Sequence, residues 1–123
     1  MATLLVVDDE RLVLKIMATV LRSEHSVVTA ESGIEALTIF ESYPRQFDLI
    51  VTDVTMPGMT GLELVARLEA LHKRRLAVLF VTGASKYPID PDRAVLPKPF
   101  TPPALKAAVQ QVLQACQDRR DAK

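Results

Sequence analysis

Apolar residues follow two rhythms along this chain. Thr3–Val7, Phe47–Thr52 and Ala77–Val81 are short, nearly continuous apolar runs that give way to polar residues. Runs of that length, rich in valine, leucine and isoleucine, predict strands buried on both faces, as in a parallel sheet. Ser26–Ala30 is another short strand, and Ala94–Leu96 a candidate fifth. Between the runs, apolar residues recur at helical spacing. From Glu10 to Arg22 the stripe passes through Leu12 or Val13, Ile16 or Met17, and Val20 or Leu21. Ser32-Gly33 leads into a second helix over IEALTIFES, stopped by Pro44. Pro57-Gly58 and Gly61 punctuate a loop before a third helix over Leu62–Leu71, with Leu62, Val65 or Ala66, and Leu68 or Leu71 on one face. Thr101 as N-cap and Pro102 in the first turn open a last helix, whose stripe is Leu105, Val109, Val112 and Cys116. Strand alternating with helix predicts an α/β fold with a parallel sheet covered on both faces. A chain of 123 residues suits one such domain.

In sheets of this kind ligands gather at the carboxyl ends of the strands. Strand one ends at Asp8, Asp9 and Glu10, strand three at Asp53, strand four at Thr82, and strand five is followed by Lys98. Strands one and three are neighbours in the common doubly wound order, which brings Asp8, Asp9 and Asp53 together. Two like charges 4 Å apart repel by about 4 kcal/mol at an effective dielectric of 20. A hard divalent cation with oxygen ligands, most often Mg²⁺, offsets such a cluster, and Lys98 adds a second positive charge. Asp9 or Glu10 alone reads as a solvated helix cap; the whole set at one sheet edge does not.

Composition narrows the alternatives. With 15 basic and 15 acidic residues the net charge is zero, which gives no sign of direct nucleic-acid binding. The HKRR run at 72–75 reads as a solvated helix end and loop, with a partner contact as the alternative. A single cysteine, Cys116, excludes a disulfide framework within the chain and fits a reducing compartment; its place on the helical stripe makes it a core residue more readily than a reactive thiol. The start, MATLLVVDDE, does not have the form of a signal peptide, and no apolar run is long enough to cross a bilayer. The expectation is a cytoplasmic protein with no membrane contact.

Four segments in order, LLVVDDE at 4–10, DLIVTDVTMPGMTGLEL at 48–64, VTGA at 81–84 and LPKPF at 96–100, resemble the receiver domain of bacterial two-component response regulators, the CheY-like superfamily. The resemblance implies a flavodoxin-like, doubly wound, five-stranded parallel sheet in the order 2-1-3-4-5. It implies a receiver over 1–118, with 119–123 a tail or the start of a linker. By resemblance Asp53 is the phosphoacceptor, taking a phosphoryl group from a histidine kinase or phosphotransfer protein. Mg²⁺ or Mn²⁺ would be held by Asp9, Asp53 and the backbone carbonyl of Thr55, with Asp8 acting mainly through metal-bound water. Lys98 would pair with Asp53 and then with a phosphoryl oxygen, Thr82 would be the switch hydroxyl, and Lys98-Pro99 would be a cis peptide. Thr55 and Ala84 occupy positions that tune hydrolysis of the acyl phosphate. The output partner, or a fused output domain, is not implied by these residues.

Two departures fall within TGASKYPIDPDRAVLPKPF, residues 82–100. The family usually carries an aromatic residue three positions before the lysine; here that residue is Val95. Only Gly83 to Arg93 separates strand four from strand five, too few for a helix with two connections, and Pro88 and Pro91 oppose one. The family's fourth helix is therefore expected to be absent or reduced. Two other readings stand beside the switch: a Mg²⁺-dependent phosphohydrolase working through an aspartyl phosphate, and a receiver-fold scaffold that is never phosphorylated. The first commonly needs an acid two residues after the nucleophile, where this chain has Thr55.

Overall fold

The computed structural model describes residues 2–83 and 87–121. Five strands, β1 (Thr3–Val7), β2 (Ser26–Ala30), β3 (Leu49–Thr52), β4 (Val78–Thr82) and β5 (Ala94–Pro97), form one parallel sheet in the order β2-β1-β3-β4-β5. Four helices, α1 (Arg11–Leu21), α2 (Gly33–Ser42), α3 (Gly61–His72) and α4 (Pro102–Asp121), complete the order of elements. The apolar runs become strands because both of their faces are covered: every residue of β3 and β4 is buried. On one face, Leu5, Val7, Ile50 and Phe80 pack with Phe40 of α2 and with Leu64 and Leu68 of α3. On the other, Leu4, Val6, Val51 and Val81 pack with Met17 and Leu21 of α1 and with Leu105 and Val109 of α4.

Packing resolves the pairs that spacing left open. In α1 the inward residues are Leu14, Met17, Ala18 and Leu21, while Leu12 and Ile16 face solvent. In α3, Leu64, Val65 and Leu68 are buried and Leu71 is exposed. Cys116 is only half-buried, so the core stripe of α4 is strongest at Leu105 and Val109 and weakens along the helix. Strand three begins at Leu49 rather than Phe47. The Asp48 carboxylate accepts the Thr3 backbone N–H at 2.8 Å, and the Phe47 ring stacks near Phe40 at 5.8 Å instead of extending the strand.

Helix starts follow local chemistry. Ser32 accepts the Glu35 N–H at 3.0 Å, and Thr60 and Glu63 form a reciprocal capping box at 3.1 Å in each direction. Thr101 accepts the Ala104 N–H at 3.2 Å to open α4.

No helix lies between β4 and β5 among the described residues. Gly83 and Tyr87 are bends, and Pro91-Asp92 forms a turn closed by the Arg93 N–H donating to the Asp90 carbonyl at 2.9 Å. Ile89 packs against the α2–α3 side of the core. Arg93 pins the far end: its guanidinium donates to Glu69 at 2.6 Å and to the Leu76 carbonyl at 2.9 Å, while Glu69 also accepts the Leu76 N–H at 2.8 Å. The Arg93 side chain is only 9% exposed, so removing it strands a carboxylate rather than a solvated surface pair.

Two glycines have contrasting reasons to be glycine. A Cβ on Gly61 would collide with the backbone carbonyl oxygen of Asp53, whereas one on Gly58 would meet nothing. Gly58 instead has φ +82°, which an L side chain adopts at a cost of about 1–2 kcal/mol. Gly58→Ala is expected to lower unfolding free energy by about that amount. Gly61→Ala should cost more, because backbone must move. Urea denaturation of the two variants checks the ranking, and an equal or smaller loss for Gly61→Ala would contradict it.

Candidate phosphoacceptor site

Register brings the acids together. Val7 pairs with Thr52 across β1 and β3, so the residues that follow, Asp8 and Asp53, leave the sheet at the same height. Thr82 pairs with Pro97 across β4 and β5, so Lys98 follows at that height as well. The Lys98 N–H donates to the Thr82 carbonyl at 2.9 Å, and the Lys98-Pro99 peptide is cis.

Lys98 Nζ lies among three carboxylates. It is 2.9 Å from Asp8 Oδ2, 3.1 Å from Asp53 Oδ2 and 3.7 Å from Glu10 Oε1. Asp8 is completely buried and Asp53 nearly so, while Glu10 is exposed. The second oxygen of Asp8 accepts the Glu10 N–H at 2.9 Å, which serves in place of a side-chain cap at the start of α1. The second oxygen of Asp53 has a longer contact, 3.4 Å, with the Thr55 N–H. The Asp53 carboxyl is thus the less fully engaged of the two buried acids. Its backbone is held by the Val7 carbonyl at 3.1 Å and by the Thr52 hydroxyl, which donates to the Asp53 carbonyl at 2.9 Å.

One carboxylate oxygen from each of Asp8, Glu10 and Asp53 can be chosen so that all lie within 4.8 Å of one another. The donors are all hard oxygens, which fits Mg²⁺ or Mn²⁺ and disfavours softer ions. The membership differs from the sequence reading: Glu10 belongs to this group, and Asp9, exposed, does not. One turn at the start of α1 directs Glu10 toward Lys98, a contact that spacing along the chain does not reveal. Thr55 is exposed beside Asp53 and Thr82 is buried at the end of β4. Val95, the residue in place of the family's aromatic, is 42% exposed. It stands between Ala94 and Leu96, which pack on the α1–α4 side, so it points to the opposite face of the sheet. Ala84 lies outside the described residues.

Burial pushes the Asp8 carboxyl above its ordinary value, against the opposing pull of its hydrogen bond with Lys98. Burial also pulls the Lys98 ammonium down, but hydrogen bonds to Asp8 and Asp53 outweigh it and leave its pKa above 10.5. A lysine whose pKa is raised by folding stabilises the fold fully below its unfolded value, and the contribution disappears as pH rises through the folded one. Unfolding free energy of the wild-type chain should therefore decline as pH rises past about 10.5, more steeply than that of Lys98→Met. Urea denaturation at stepped alkaline pH measures the difference, and parallel declines would remove Lys98 as the cause.

The family profile described as the response regulator receiver domain matches residues 4–110. The chemotaxis protein CheY of Pseudomonas aeruginosa is 34% identical over 120 residues, spanning 90% of this chain and 95% of that protein. The sensor kinase CckA of Brucella abortus is 36% identical over 120 residues, spanning 92% of this chain but only 13% of the kinase. Among solved structures, the receiver domain from the hybrid histidine kinase CckA superposes with a TM-score of 0.78 at 32% identity, covering 91% of this chain and 99% of that one. With its five-stranded order, its acids at one sheet edge and a profile match over most of its length, the chain belongs to the response regulator receiver domain family, the signalling module of two-component systems.

Proposed function

We propose that Asp53 accepts a phosphoryl group from a phosphohistidine on a histidine kinase or phosphotransfer protein, and that the modified domain presents an altered surface to its output partner. The observation that carries this reading is a nearly buried carboxylate at a strand end, held against a lysine and a second acid, with one oxygen only weakly engaged. An Asp53 oxygen attacks phosphorus, the P–N bond breaks, and the imidazole nitrogen leaves with the electron pair and takes up a proton. An acyl phosphate remains. Attack of water on phosphorus later returns the carboxylate and releases phosphate.

Such transfer depends on positioning and charge neutralisation rather than covalent help. Lys98 holds the Asp53 carboxylate through Oδ2, leaving the weakly engaged Oδ1 to attack, and after transfer neutralises a phosphoryl oxygen. A divalent cation, when bound, offsets negative charge shared between Asp53 and the incoming group. Asp53 and the Thr55 carbonyl would hold it together with the Asp8 and Glu10 carboxylates grouped with Asp53, with Asp9 the further acid that the family resemblance implies. Thr82 would donate its hydroxyl to a phosphoryl oxygen, drawing on the loop that begins at Gly83. The new group adds about −1.5 to −2 charge. That can bias the loop before β5, whose restraints among the described residues include the packed Ile89 and the Arg93–Glu69 ion pair. Val95 cannot swing as an aromatic ring would, so the signal passes through the loop and not through a rotating side chain. In this reading residues 1–118 are the receiver, 119–123 a tail or linker, and the protein is cytoplasmic.

The hydrolase alternative is disfavoured by the two residues after Asp53. Val54 is buried in the core and Thr55 carries no acid.

Incubation with Mg²⁺ and acetyl phosphate should give a single phosphoryl adduct by intact mass. The adduct should be absent from Asp53→Ala and should form more slowly in Lys98→Ala. Sustained release of phosphate from many small esters would instead support the hydrolase. A chain that gains no adduct from acetyl phosphate or from a phosphohistidine donor would be a scaffold.

A further inference from the structure

The pole of the sheet opposite Asp53 carries a second arrangement. We propose that the cleft at the amino ends of the strands binds a nucleotide, with its phosphates on arginines and its base on an apolar floor. The cleft has a volume of about 790 Å³, within the usual range for small-molecule sites.

Three loops bring positive groups to it. His25 precedes β2, Arg45 precedes β3, and Arg74 and Arg75 precede β4. Arg74 donates to the Pro44 carbonyl at 2.8 Å, which ties two of these loops together. Among the described residues Asp48 is the one acid in the lining, and one of its oxygens already accepts the Thr3 N–H. His25 Nδ1 accepts the Ala2 N–H at 3.1 Å, so in the neutral ring the other nitrogen carries the proton and can donate. Among the described residues, neither Arg45 nor Arg75 lies within ion-pair distance of a carboxylate. By contrast, Arg11 and Arg93 each have a glutamate partner.

The chain is neutral overall, so the positive charge is local: among the described residues the cleft lining sets three arginines against one acid, Asp48. Guanidinium groups converging on an open cleft repel one another, and a shared anion relieves the repulsion. Their planar forks match phosphate oxygens in pairs. Phe47 and Leu113, both half-buried, give the same cleft an apolar side, which a bare phosphate would leave uncovered and a nucleobase would cover. The run at 72–75, legible in sequence as a solvated helix end, thereby supplies two of the ligating cations. Nothing in this site depends on Asp53 or on a metal.

The test is a titration of ADP into the ¹⁵N-labelled full chain in the presence of EDTA, followed through backbone amide resonances. Saturable shifts are expected at Arg74, Arg75, Ala77 and Gln114, with the Asp53 and Gly83 amides unmoved. Arg45→Ala and Arg75→Ala, both at exposed positions, should each weaken ADP by about tenfold with unchanged circular dichroism. Adenosine should not saturate. The proposal is overturned if ADP gives no saturable shift at millimolar concentration, if the shifts survive both substitutions, or if they centre on Asp53. Pyrophosphate binding as tightly as ADP would overturn the nucleotide assignment, since the apolar floor would then contribute nothing.

Discussion

One ammonium group among three carboxylates sets the conditions for everything else at the carboxyl pole. Lys98 Nζ touches Asp8 and Asp53 and lies close to Glu10. Burying Asp8 completely is costly unless it is paired and hydrogen-bonded, and both of its oxygens are. The same lysine serves Asp53, so the two acids compete for one counter-ion. A site with more negative than positive charge is poised to accept a cation, and then to tolerate a phosphoryl group that brings its own charge. Lys98 reaches this position because β5 lies beside β4, with Pro97 level with Thr82.

The scaffold holds that cluster from several directions. Gly61 lets α3 approach so closely that its first residue sits against the Asp53 carbonyl, and the Gly61 N–H donates to the Val54 carbonyl at 2.9 Å. The Met59 side chain packs against Gly33 at the start of α2. The loop after Asp53 is therefore wedged between two helix N-termini. On the other side of Thr82, among the described residues, the segment before β5 is held by Ile89 packing, a turn over Asp90–Arg93 and the Arg93–Glu69 pair.

The fold was legible in the sequence because each signal was overdetermined. β3 and β4 are too apolar to be anything but buried, and the turn and cap residues Ser32 and Thr101 each end in a hydrogen bond. Length and two prolines led to the expectation of an absent or reduced fourth helix, and none lies between β4 and β5 among the described residues. Less legible was which of two adjacent apolar residues turns inward, as at Leu12 against Val13, because a 3.6-residue period tolerates either until the sheet is in place. Glu10 reads in the sequence as a helix cap rather than a partner of Lys98, because its approach to Lys98 depends on the rotation of α1 and spans most of the chain. The arginine cleft was likewise invisible: His25, Arg45 and Arg75 belong to three connections that only the sheet assembles.

The lysine's role as resident counter-ion is most directly measured by titrating Mg²⁺ into the wild-type chain and into Lys98→Ala, following the Asp53 and Thr55 amide resonances. If the ammonium occupies charge that a cation would otherwise meet, Lys98→Ala binds Mg²⁺ more tightly, by about tenfold or more. Equal or weaker binding in the variant would show that Lys98 and the cation do not share the same carboxylates, and would contradict the charge balance on which the proposed switch rests.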